Sequence, residues 1–245
     1  MSAVKQIPFA KLVFEHFYLG VLFTLIYVSI GPKIIGNQLP GVAVLLLVEA
    51  IMVPLLLAHL FWSAKRMIGS FSIKAIIPFQ NKLPIKKFIL WSVGGILTSL
   101  LVYVPLYPLG LFLRESVFGW LPEWYFNPTY GTDDVKTIAN FFLIGIVLDG
   151  VLAPAAEELF FRGYLLPRMA YLKNWAPILN GAFFGLYHFW QPHNWIASMI
   201  LGIIFSFAVW KTKNVYVGMA IHCSLNILGA LSAYFAVTNG IMVGR

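Results

Sequence analysis

Charge is what this sequence has least of. Asp, Glu, Lys and Arg make up 11% of its 245 residues, while 60% are hydrophobic. A soluble domain runs near ~25% charged and ~45–50% apolar, and a globule of this length has no interior large enough to hide the excess. A soluble enzyme and a disordered chain are both excluded by that ratio. Cysteine is nearly absent too: Cys223 is alone, so a disulfide scaffold is excluded. Internal repeats, low-complexity tracts and a break in composition marking a domain boundary are also missing.

What is present is a series of long apolar runs, with a mean hydropathy of +0.83. Each continuous run of about 20 apolar residues reads as one membrane-crossing helix, since only helices and closed barrels satisfy the backbone in lipid. The expectation is an all-α polytopic bundle of about seven to eight spans, forming one domain over residues 1–245. Candidate spans lie near 12–32, 40–62, 88–113, 138–160, 175–190, 195–210 and 214–237. The fifth and sixth are short and joined by Gln191-Pro192-His193-Asn194, which predicts a tight helical hairpin. Glu15 and His16 interrupt the first run and no small-residue cleavage site follows, so a retained span rather than a removed signal is expected.

The basic residues set orientation. With a cytoplasmic N-terminus and seven spans, thirteen of the seventeen Lys and Arg fall on the inner side, six of them within 64–87. Lys33, Arg114, Lys136 and Arg245 fall outside. That bias follows the positive-inside rule, and it accounts for the net charge of +8 through anionic head groups. No nucleic-acid partner is needed to explain it.

Ionisable groups at bilayer depth are costly, so each is a functional candidate. They are Glu49, His59, Asp149, Glu157, Glu158, Arg162, His188 and His222, joined by Asn180 and Asn226. Glu158 and Arg162 stand i,i+4 and can pair on one helical face. Glu157 is turned about 100° away with no partner on its own helix. Two adjacent acids thus meet different surroundings, the condition for acid–base chemistry by a carboxyl pair. Pro154 lacks an N–H, which leaves the Gly150 carbonyl without its helical partner and predicts a local distortion. Counted from the inner ends of their spans, Glu157 and Asn226 lie roughly 18 Å deep, His188 roughly 21 Å and His222 roughly 12 Å. Four groups from three helices therefore approach one layer. Glu49, His59 and Asp149 read as structural or water-lined, His193 as a hairpin residue, and Cys223 as no nucleophile.

The pattern has a family likeness. Glu157-Glu158-Leu159-Phe160-Phe161-Arg162 fits EExxxR, Phe184 to His188 fits FxxxH, and His222 to Asn226 fits HxxxN. In this order on successive membrane helices they resemble the CPBP family of CAAX proteases and bacteriocin-processing proteins, over about residues 138–237. The first three spans carry no such signature. The resemblance implies an intramembrane endopeptidase in a prokaryotic cytoplasmic membrane, acting on a membrane-anchored, prenylated CAAX-type or peptide-precursor substrate. It implies that Glu157 and His188 activate water, that His222 and Asn226 stabilise the oxyanion, and that Glu158 and Arg162 hold the site. A metal-free mechanism is expected. If zinc is used, Glu157, His188 and His222 form the ligand set of two histidines and one glutamate. The competing readings are a non-catalytic scaffold or bacteriocin-immunity protein of the same fold, and a coupled transporter, against which the lack of an internal repeat counts.

Overall fold

A computed structural model describes residues 4–241. Its architecture is an all-helical bundle, and six helical segments are long and apolar enough to cross a membrane. Three helices start directly after a proline: α1 (Phe9–Gly36) after Pro8, α2 (Gly41–Ile68) after Pro40 and α4 (Ile85–Phe112) after Pro84. Proline suits those boundaries, because a helix start has no intrahelical use for its missing N–H. Between α2 and α4 lies the single turn α3 (Ile73–Ile76). Helix α2 stops at Gly69, whose φ of 72° is the left-handed conformation glycine adopts without strain.

Helix α5 (Val135–Val147) is capped by the Asp134 carboxylate, which accepts from the Lys136 N–H at 3.1 Å. Its helical path continues through α6 (Ala153–Glu157) to Leu172. Helix α7 (Trp175–Tyr187) then turns back, followed by α8 (Trp195–Thr212) and α9 (Val215–Thr238). Asn214 caps α9 by accepting from the Tyr216 N–H at 2.8 Å.

Every expected span corresponds to a helix, but α7 is too short to be counted among the six. Its 13 residues rise about 20 Å, less than a bilayer core of about 30 Å. The apolar run reaches residue 190, yet the helix ends at Tyr187, and His188 to Asn194 form the hairpin. Glycines make that hairpin tight. A Cβ on Gly181 would strike the backbone of Ile203, one on Gly185 the backbone of Met199, and one on Gly202 the carbonyl of Gly181. Such small-residue faces let helices in lipid approach backbone to backbone.

The bundle has two distinct ends. At one, Ile7 donates to Arg168 O, the Arg168 guanidinium to Ile76 O, and Asn81 to Lys213 O. That end gathers the basic stretch 64–87 with Arg168, Lys173, Lys211 and Lys213. At the other, Gly41 donates to Tyr130 O and the Tyr125 hydroxyl to Phe189 O. Helix α4 packs loosely on α8 and α9 and buries only Ser92 and Ser99.

Candidate active site

The two adjacent acids are separated by a change in helix geometry. Helix α6 is one α-helical turn between two π-helical stretches, Leu148–Leu152 and Glu158–Leu165. Pro154 supplies the cause expected from sequence, since it cannot return a hydrogen bond to Gly150. Wider π turns inside helices are frequent at functional sites. Here they send Glu157 toward a cavity and Glu158 behind its wall.

Glu158 is fully buried, and its Oε1 lies 3.0 Å from an Arg162 terminal nitrogen and accepts from His222 Nδ1 at 3.1 Å. Only glycine leaves room here: a Cβ on Gly218 would strike Glu158 Oε2. Arg162, also fully buried, donates from Nε to Ser206 Oγ at 3.2 Å and from its other terminal nitrogen to Gly202 O at 3.1 Å. Its guanidinium carbon lies 3.9 Å from the centre of the Phe184 ring, a favourable cation–π placement. Ser206 in turn donates to Asn180 Oδ1 at 2.8 Å, and Asn180 donates to Phe161 O at 3.0 Å and faces His16 Nε2 at 3.1 Å. Most of the pair's polar atoms are satisfied this way, while Glu158 Oε2 and the Arg162 nitrogen nearest Glu158 make no further hydrogen bond, and the network links α1, α7, α8 and α9.

The two histidines are oriented by what their Nδ1 atoms do. His188, the first residue beyond α7, gives Nδ1–H to Phe184 O at 2.8 Å. Its own carbonyl accepts from the Trp195 indole at 3.0 Å, which fixes the hairpin turn. His222 gives Nδ1–H to Glu158. Both rings therefore turn Nε2 toward Glu157, at 3.9 Å from Oε1 for His188 and 4.0 Å from Oε2 for His222. Glu157 is held in turn by the Tyr187 hydroxyl, which donates to Oε1 at 3.1 Å.

These groups line a cavity of about 150 Å³ together with Glu49 and Met52 from α2, Asp149, Trp190, Gln191, Ser198, Phe205 and Asn226. Glu157, His188, His222 and Asn226 thus share one wall system, as the depth arithmetic predicts, with Glu158 and Arg162 directly behind. Asn226 differs from expectation in one respect. Its amide nitrogen donates to Asp149 O at 2.9 Å and lies 3.3 Å from Asp149 Oδ1, a contact spacing along one helix does not reveal. Cys223 stands outside the site with its thiol near Val151 O. His59 accepts from or donates to the Tyr18 hydroxyl at 2.6 Å and is structural.

Separations of 3.9 and 4.0 Å exceed a direct hydrogen bond and suit one water between carboxylate and imidazole. Tetrahedral zinc, with ligand atoms at about 2.0–2.1 Å, sets them about 3.3 Å apart from each other. Glu157, His188 and His222 are the right residue types for zinc but stand wider than that geometry. Among the described residues no group of three or more His, Cys, Asp or Glu is gathered to hold a metal ion.

Residues 139–228, a little over a third of the chain, match the family model described as type II CAAX prenyl endopeptidase Rce1-like. That match supports the resemblance to CAAX-type proteases read from the sequence motifs. No curated protein matches the chain, and neither does any solved structure. The matched segment contains all seven residues that the EExxxR, FxxxH and HxxxN patterns fix. The family-model match does not extend to α2, whose Glu49 and Met52 line the same cavity. Sequence spacing also passed over Tyr187, although it sits beside His188 inside the FxxxH stretch. A phenol fully buried in a lipid-crossing bundle needs a partner, and that requirement was the available signal.

Proposed function

We propose that this protein is an intramembrane endopeptidase that hydrolyses a peptide bond in a membrane-anchored substrate, of the lipidated CAAX type or a peptide precursor. One observation carries the reading: a single carboxylate, Glu157, stands between two imidazole Nε2 atoms whose Nδ1 atoms are already committed. A peptide bond needs an activated water and a positioned partner for the developing oxyanion. Water held between Glu157 and His188 loses a proton to Glu157 as its oxygen attacks the carbonyl carbon. His222, anchored by Glu158, donates a hydrogen bond through an Nε2 hydrogen to the oxyanion and keeps that hydrogen throughout. Collapse of the tetrahedral species breaks the C–N bond, and the proton on Glu157 passes to the leaving nitrogen. The products are a carboxylate and an amine. Glu158 and Arg162 keep His222 in place and do not touch the substrate. By the positive-inside rule, the end that gathers 64–87, Arg168, Lys173, Lys211 and Lys213 faces the cytoplasm, and the N-terminus with it.

Purified protein assayed on a membrane-peptide library tests this. Glu157→Gln keeps size and loses the base, so hydrolysis should fall by about 10²–10⁴ with helicity unchanged. Full retained activity would remove Glu157 from its role. The reaction as written needs no metal. Stoichiometric zinc in active protein, lost together with activity on chelation, would overturn that part.

A further inference from the structure

The two oxygens of the Glu157 carboxyl keep unlike company. Oε1 accepts from the Tyr187 hydroxyl at 3.1 Å and lies 3.9 Å from His188 Nε2. Oε2 takes no hydrogen bond from any described residue and lies 4.0 Å from His222 Nε2. A shift of about 1 Å would bring Oε2 into direct hydrogen-bond range of that nitrogen. Carboxylate and imidazole N–H form strong charge-assisted bonds, so such a contact would consume the base and the oxyanion donor together.

Tyr187 stands where it prevents this. It is the last residue of α7, fully buried, and outside the lining of the catalytic cavity. Its ring sits edge-on to Phe161 and Trp190, with centroids 4.9 and 5.1 Å away. A Cβ on Gly20 of α1 would strike its carbonyl, so ring and backbone are both confined. The hydroxyl also lies 2.9 Å from Met52 Sδ. A thioether is only a weak acceptor, so the phenol hydrogen goes to the carboxylate.

We propose that Tyr187 is a positioning residue for the base. Its hydroxyl holds Glu157 off His222 and so keeps open the space that water and the oxyanion occupy. Tyr187 acts through Glu157 and does not touch the substrate. It falls on an open position of FxxxH, which assigns it no role. The role rests on the endopeptidase reading and deepens it.

Tyr187→Phe removes one oxygen and keeps the ring. In protein of wild-type helicity, kcat should fall about 10- to 100-fold, as for a reacting group displaced by about 1 Å. KM should stay within about twofold, the sign of a loss confined to the transition state. A phenol that served packing alone would lower stability and leave kcat in place, so kcat within twofold of wild type would overturn the proposal, as would a KM that rises while kcat holds. A second measurement needs no turnover. With histidine labelled by ¹⁵N, the His222 signal is assigned by its loss in His222→Gln. Its Nε2 resonance should move when Tyr187→Phe is made in wild type, and stay in place when the same change is made beside Glu157→Gln. No movement in wild type, or the same movement in both backgrounds, would overturn the spacer role. The expected movement in a protein that cleaves no membrane peptide would keep that role and sink the endopeptidase reading instead.

Discussion

Helix α4 and the segment from α6 to α9 both contain helices apolar enough to cross a membrane, and they differ in what they bury. Leu97, Leu101 and Val104 of α4 are 61–77% exposed, and the helix hides only two serines. The matched segment instead hides Glu158, Arg162, Asn180 and Ser206 completely. In lipid, apolar side chains gain little by turning inward, whereas polar groups must find partners inside. The fully buried polar groups here sit among fully buried Phe160, Phe161, Leu165 and Tyr187, whereas α4 leaves its apolar side chains to the outside. The same rule explains why α2, outside the matched segment, reaches the cavity through Glu49.

That contrast can be broken by substitution. The largest stability effect should come from Arg162→Met, which leaves the buried Glu158 charge with His222 alone and strips Ser206 and Gly202 of their donor. About 3–5 kcal/mol should be lost, read by unfolding in detergent. A loss under ~1 kcal/mol would mean that the inward polar network is incidental. Gly185→Val comes next. Its side chain must enter the backbone of Met199, and overpacking of this kind costs about 1–3 kcal/mol. Because the hairpin carries His188, cleavage should fall with stability. Leu101→Ala on the exposed face of α4 should change stability by less than ~0.5 kcal/mol. A larger change would show that this face is covered in the working protein.

The helical bundle and the seven motif residues were legible in the sequence because both depend on spacing along one helix. Runs of about 20 apolar residues and pairs at i,i+4 are local facts. The network from Arg162 through Ser206 and Asn180 to His16 was not legible, because each link joins different helices and depends on how each is rotated about its axis. Asn226 shows the same limit. HxxxN places it one turn beyond His222, but the contact that holds its amide comes from Asp149, 77 residues earlier in the chain. The short helix α7 was hidden for a related reason. Hydropathy runs unbroken from 175 to 190 and cannot register that the chain leaves the helix at His188.

The central claim is that Glu157 is the base of a peptide hydrolysis in the membrane. It is tested most directly by comparing the C-terminal ends of membrane peptides in cells carrying wild-type protein and in cells carrying Glu157→Gln at equal abundance. Wild type should generate a set of new C-termini that are absent with the variant. Identical termini in the two would contradict the account.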